Sequence, residues 1–166
     1  MIIGISGKMQ SGKDTVADYL VNKYGFQRIA FAAKLKEIAK DLFGWDGKKD
    51  EYGRKLLQDL GFAMRSINRD VWINYALKNI DLNQNWVTTD VRYMNEAFVI
   101  QSKSGLLWRI NRNIIRNEEV DNHISETDLD HYDKFDAIIE NNGSFNELHD
   151  RIDKLLAQKE KDIMTV

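Results

Sequence analysis

The sequence predicts an α/β fold: a five-stranded parallel sheet with helices on both faces and one long polar segment. Three observations predict it. Short apolar runs alternate along the chain with apolar stripes at helical spacing. A strand-to-helix order of this kind requires right-handed crossovers, which make the strands parallel. The first run empties into a glycine-rich turn that opens a helix.

Residues 2–6, IIGIS, read as a buried strand. Val16, Ala17, Leu20, Val21 and Tyr24 recur at helical spacing, and Gly25 ends that helix. Residues 26–31 read as a second strand. Leu35, Ile38, Ala39, Leu42 and Phe43 mark a second helix, closed by Gly44. Leu56, Leu57, Leu60, Met64 and Ile67 mark a third, and Val71, Trp72, Tyr75, Ala76 and Ile80 a fourth. Residues 86–89, WVTT, form a strand that ends at Asp90. A helix over 95–102 stops near Gly105, and residues 106–110 form the fourth strand. Residues 111–134 are polar, irregular and too long for an ordinary connection. A fifth strand at 135–139 precedes a closing helix over 144–159. There Ser144 fits the N-cap and Glu147 the matching capping-box position.

The 166 residues suit a single domain, with a helical region at about 32–82 and the polar segment at about 111–134 as its special parts. With no cysteine, disulfides, thiolate metal sites and a cysteine nucleophile are excluded. A net charge of -2 argues against a nucleic-acid binder. No apolar run approaches the ~20 residues of a bilayer span, and MIIGISGK is too glycine-broken for a signal peptide. A cytoplasmic protein with no membrane partner is the expectation. Charge is uneven, however. Residues 117–140 hold nine acids and one base, leaving +6 on the remainder. That segment reads as a solvated acidic loop or as a moving element beside a cationic phosphate-binding face.

Parallel sheets bind ligands outside the C-terminal strand ends. Directly after the first strand, Gly7, Lys8, Met9, Gln10, Ser11, Gly12 and Lys13 match G-x-x-x-x-G-K. A strand before it and a helix after it are the context this motif needs. The predicted fold class is therefore the three-layer P-loop NTPase fold. Glycines let backbone N–H groups converge on an anion, and the helix start adds positive partial charge. Lys13 adds a point charge worth about 4 kcal/mol at ~4 Å and an effective dielectric of about 20. Asp14 follows where serine or threonine is usual, and Thr15 comes one place later. Asp14 either holds Mg²⁺, directly or through water, or merely suits the first helical turn.

Phosphoryl transfer needs cations at two phosphate sites. Lys36, Arg65, Arg69, Arg92, Arg109, Arg112 and Arg116 all fall near predicted strand ends or helix ends on that side. Asp90, closing an apolar strand, is the best second acid, as a metal and catalytic candidate or as a helix cap. Trp72 suits a core position or a base-stacking platform. His123 and Glu126 lie in the acidic segment.

The blocks SGKMQSGKDT, FAAKLKE, LLQDLGFAMR, NRDVWIN, WVTTDVRYMNEA, HISETDLD and FDAIIENNGS occur in this order. Together they resemble the deoxynucleoside monophosphate kinases of tailed bacteriophages, over residues 1 to about 156. Phosphomevalonate kinases are similar in the GKD loop, the strand–Asp–x–Arg and the last strand. The resemblance implies transfer of the γ-phosphoryl group of ATP to a deoxynucleoside monophosphate. It implies ATP and Mg²⁺ at Gly12, Lys13, Asp14 and Thr15, and the acceptor phosphate at Lys36, Arg65 and Arg92. His123 and Glu126 would face the acceptor, and Arg112 and Arg116 would ride on a lid over 111–134. Residues 141–143, Asn142 among them, would lie near the adenine. The implied partners are small nucleotides, for a monomer or homodimer.

Other classes fit less well. A GTPase needs N-K-x-D, but Asn22-Lys23 is followed by Tyr24-Gly25. A nucleic-acid motor needs more basic charge. A non-catalytic module does not account for Lys13, Asp90 and the strand-end cations together. Kinases of phosphomevalonate or dephospho-coenzyme A remain the alternatives within the same chemistry.

Overall fold

The structure, a computed structural model, describes residues 1–78, 80–113 and 123–164. Its elements run β1 (Ile2–Ser6), α1 (Lys13–Tyr24), β2 (Gln27–Arg28), α2 (Ala33–Phe43), α3 (Glu51–Ile67) and α4 (Val71–Leu77). There follow β3 (Trp86–Thr88), α5 (Met94–Ser102), β4 (Leu106–Asn111), α6 (Ile124–Thr127), β5 (Ala137–Glu140) and α7 (Phe145–Met164). The five strands are all parallel in the order β2-β3-β1-β4-β5. In register, Ile3 lies between Val87 and Leu106.

The central strand is buried along its whole length, as a parallel strand covered on both faces should be. Its residues alternate between two cores. Ile3 and Ile5 pack with Val16, Ala17 and Leu20 of α1 and with Leu148, Ile152 and Leu156 of α7. Ile2 packs on the other face with Leu35, Trp72, Ile73, Ala97 and Ile100. Each buried aliphatic side chain contributes about 1.5–3 kcal/mol, so the sheet is clamped between two helical layers.

Several expectations are corrected. The second strand is only Gln27–Arg28, because it lies at the sheet edge and the chain leaves after Ile29 donates to Val87. The last strand starts at Ala137, two residues later than expected. Residues 123–134 are irregular only in part. They begin with α6 and then pack down, with Leu129 3% exposed in the second core and Tyr132 and Phe135 against it. The capping box at Ser144 and Glu147 is present in both directions. Among the described residues, no helix is long and apolar enough to cross a membrane.

Candidate active site

The loop after β1 has the backbone the motif requires. Gly7 and Gly12 take φ of 148° and 100°. A Cβ at Gly7 would stand 2.4 Å from the Ile110 carbonyl oxygen, and one at Gly12 would stand 2.3 Å from the Asn141 amide nitrogen. Gln10 also sits at positive φ. The Lys13 ammonium reaches back over the loop, donating to the carbonyls of Gly7 at 2.6 Å and Lys8 at 2.7 Å. The Ser11 hydroxyl is buried and has no hydrogen-bond partner among the described residues. This is the loop backbone and lysine placement that an anion cradle needs.

Asp14 stands in the first turn of α1, with four-fifths of its side chain exposed. Its carboxylate accepts from the Thr89 hydroxyl at 2.9 Å and lies 3.5 Å from the Arg28 guanidinium. Thr15 follows it, half-buried. Asp90 is placed differently from the capping role expected for it. It accepts from the N–H groups of Phe31 and Ala32 and from the Thr88 hydroxyl. It therefore ties the turn before α2 to the end of β3 and does not cap the helix that follows it, and it carries three of the about four bonds a carboxylate can accept. Asp14 and Asp90 are thus both tethered at the end of β3. Among the described residues no three acidic or histidine side chains converge as a metal cage. This donor set fits a Mg²⁺ that arrives on nucleotide phosphates and borrows one exposed carboxylate, since that ion keeps most of its waters.

Lys8 does not turn toward Asp14. Its ammonium donates to Asp130 at 2.6 Å and to the main-chain carbonyl of Glu126. Asp130 also accepts from Arg109 at 2.8 Å. Burial raises the Asp130 acid, but the bonds from Lys8 and Arg109 outweigh it and hold the group below the usual carboxylate range. The Glu126 side chain bonds the Arg92 guanidinium.

The acceptor candidates gather around that pair. Arg65, from α3, lies 4.0 Å over the Tyr93 ring and faces Glu96. His123 caps α6, its Nδ1 accepting from the Ser125 N–H at 3.1 Å. Its imidazolium is disfavoured first by burial and then by Arg92 and Arg65, with Asp59 opposing. Lys36 stands half-buried in α2. The structure adds Lys49, from the loop between α2 and α3. Loss of water around its ammonium lowers its pKa, as do the charges of Lys36, Arg92 and Arg54, with Asp14 opposing. Its only sequence signal is the basic run around it, GKKDEYGRK. Glu96 was also not anticipated, because its spacing marks only a helix start.

Two candidates stand apart. Trp72 is 2% exposed inside the second core, so it is no platform for a base. α4 packs against α2, and Trp72 lies in the core they share with Leu35. Asn142 accepts from the Asn113 N–H at 2.7 Å, next to exposed Arg112. Arg116 lies outside the described residues.

Known proteins match this arrangement. The model of the deoxynucleotide monophosphate kinase family matches residues 39–152. A provisionally assigned deoxynucleotide monophosphate kinase of Acanthamoeba polyphaga mimivirus is 30% identical over 183 residues, covering 92% of this chain and 94% of its own length. A dephospho-CoA kinase of Borreliella burgdorferi is 39% identical over 101 residues, covering 51% of this chain and 49% of its own. Shikimate kinase of Acinetobacter baumannii superposes with a TM-score of 0.56 at 14% identity, over 95% of this chain and 93% of its own. The last likeness shows the fold.

Proposed function

The chain belongs to the deoxynucleotide monophosphate kinase family, and from that premise we propose that it moves the γ-phosphoryl group of ATP to a deoxynucleoside monophosphate, giving the diphosphate. One observation carries this reading. Glu126 touches both halves of the site, its carbonyl accepting from Lys8 of the phosphate loop and its carboxylate from Arg92. A donor-phosphate cradle and an acceptor cation thus lie within one residue's span, the geometry an in-line transfer needs.

In this reading Gly7 to Thr15 hold the donor's phosphates. Lys13 exchanges its loop carbonyls for the β- and γ-phosphate oxygens and offsets charge there. Lys36, Arg65 and Arg92 receive the acceptor's phosphate, and His123 and Glu126 stand beside it. Mg²⁺ would be held by Asp14, with Asp90 behind it, and would supply charge neutralisation on the donor. Arg112 and Arg116 belong to a lid that follows β4 and excludes water, and Asn142 lies toward the adenine. The partners are small nucleotides, acting on a single-domain cytoplasmic monomer or homodimer.

A second reading, phosphorylation of dephospho-coenzyme A, is favoured by the 39% identity to the Borreliella enzyme. A coupled assay of ADP release decides. It compares the four deoxynucleoside monophosphates and their ribo forms with dephospho-coenzyme A and phosphomevalonate, each with ATP and Mg²⁺. Turnover on a deoxynucleoside monophosphate is the expected result. Turnover on dephospho-coenzyme A or phosphomevalonate alone would replace the acceptor and keep the chemistry.

A further inference from the structure

We propose that Glu96 is the positioning residue of the acceptor site: from inside the protein it fixes Arg65 and the main chain of Arg92, and so sets where the acceptor's phosphate is received. This inference rests on the reading of those two arginines as acceptor ligands.

Glu96 stands in the first turn of α5 and is 2% exposed. Its two oxygens do different things. Oε2 accepts from the N–H groups of Arg92 at 2.7 Å and Tyr93 at 3.0 Å, which closes the turn between β3 and α5. Oε1 faces the Arg65 guanidinium at 3.4 Å. Closing such a turn needs only one neutral acceptor, and glutamine serves at this position in capping boxes as well as glutamate. The second oxygen and the charge are therefore surplus to the turn. They are directed at Arg65, whose other face lies on the Tyr93 ring. A buried carboxylate is retained at a cost unless it is paired; here the pairing joins α3 to the first turn of α5.

The charged groups facing Glu96 are Arg65 from α3, Asp90 from the end of β3, and Arg92 with the Tyr93 phenol from the turn. Burial pushes Glu96 up most, the Arg92 amide pulls it down, Asp90 raises it, and Arg65 and the Tyr93 amide lower it, leaving it at about 7. Below that pH Glu96 is neutral and Arg65 loses its anchor. Acceptor binding should then weaken as pH falls through this range, while ATP binding should not.

The test is the pH profile of the acceptor KM and of the ATP KM for the intact enzyme, for Glu96→Gln and for Arg65→Ala. Glutamine can keep Oε1 on the two turn amides, but it then turns an –NH₂ donor on Arg65. Glu96→Gln should raise the acceptor KM about tenfold, the equivalent of one hydrogen bond to a charged group. It should leave the ATP KM within about twofold and remove the limb near 7, leaving the acceptor's own phosphate ionisation and a His123 ionisation below its ordinary 6.5. Arg65→Ala removes the partner and keeps Glu96, so it should raise the acceptor KM and lose the same limb. If Glu96→Gln does not fold, the Arg65→Ala profile decides. A limb that survives in either variant, or an equal rise in both KM values in Glu96→Gln, overturns the positioning role and leaves the acceptor reading standing. An acceptor KM unchanged in Arg65→Ala overturns the acceptor reading, and the role of Glu96 falls with it.

Discussion

The side-chain amide of Asn141 donates to the carbonyl oxygen of Ser11 at 2.8 Å. The residue just past β5 thus fixes the floor of the phosphate loop from the far end of the chain. The same amide nitrogen lies 2.3 Å from where a Cβ at Gly12 would stand. Gly12→Ala would displace Asn141 and put a side chain at φ 100°, where the backbone alone costs about 1–2 kcal/mol. It should raise the ATP KM about tenfold or more. Asn141→Ala should raise it less, since only the tether is lost. Initial rates at varied ATP check both. An unchanged ATP KM in Gly12→Ala would mean that this loop does not hold the donor.

Lys13→Ala should lower turnover by about 10²–10³, the effect of deleting a charge that meets the transition state. The loop retains its glycines and its Asn141 tether, so far-ultraviolet circular dichroism should be unchanged. Retention of more than about a tenth of the activity would place the transferring phosphate elsewhere.

In the proposed reading Asp14 adds negative charge beside the donor's phosphates, and Arg28 offsets it only partly, at 3.5 Å. The repulsion is a few kcal/mol, on the order of the Coulomb energy at an effective dielectric of about 20. Asp14→Asn should weaken the dependence on Mg²⁺ and slow turnover. Metal-free ATP binding should be unchanged or tighter. Calorimetric titration of ATP with and without Mg²⁺ measures both. Unaltered metal dependence would leave Asp14 as a helix-start residue held by Thr89.

Trp72 is buried, and its indole N–H has no hydrogen-bond partner among the described residues. An unsatisfied buried donor costs about 1–3 kcal/mol, similar to the price of a small cavity. Trp72→Phe should therefore shift stability by no more than about 1 kcal/mol in urea titration. The acceptor KM should not change. A large selective rise in that KM would return Trp72 to the substrate site.

Glu96 also makes stability depend on pH. Its value of about 7 in the folded protein lies above the ordinary 4.5. The folded state therefore binds the proton more tightly. The contribution is complete below 4.5 and is lost as pH rises through 7, and its full size is about 3 kcal/mol. His123 works in the opposite sense, because its folded value is lowered. The difference between the natural protein and Glu96→Gln isolates Glu96. From about pH 5 to about pH 8 the natural protein should lose stability relative to the variant. Parallel profiles would show that Glu96 does not titrate in this range.

Local pattern alone determined much of this protein. The loop from Gly7 to Lys13, its strand and helix, the glycine stops at Gly25 and Gly44, and the capping box at Ser144 all follow from residues within a few positions of one another. Short-range geometry is enough to specify them. HISE was singled out only through the family resemblance; the structure brings Glu126 onto the Arg92 guanidinium and His123 near Arg92 and Arg65. Tertiary structure decided the rest. Trp72 has helical spacing whether its face meets solvent or core, and only the packing of α4 buried it. Asp90 was recognisable as an acid at a strand end, but its partners Phe31 and Ala32 lie on another segment. Lys8 was legible only as a member of the phosphate-loop motif, and its ion pair with Asp130 joins it to a segment far along the chain. Glu96 looked like one more helix-start acid. Its second oxygen acquired meaning only when α3 brought Arg65 against it, because a charge is tuned by what surrounds it in space, and sequence spacing does not specify that.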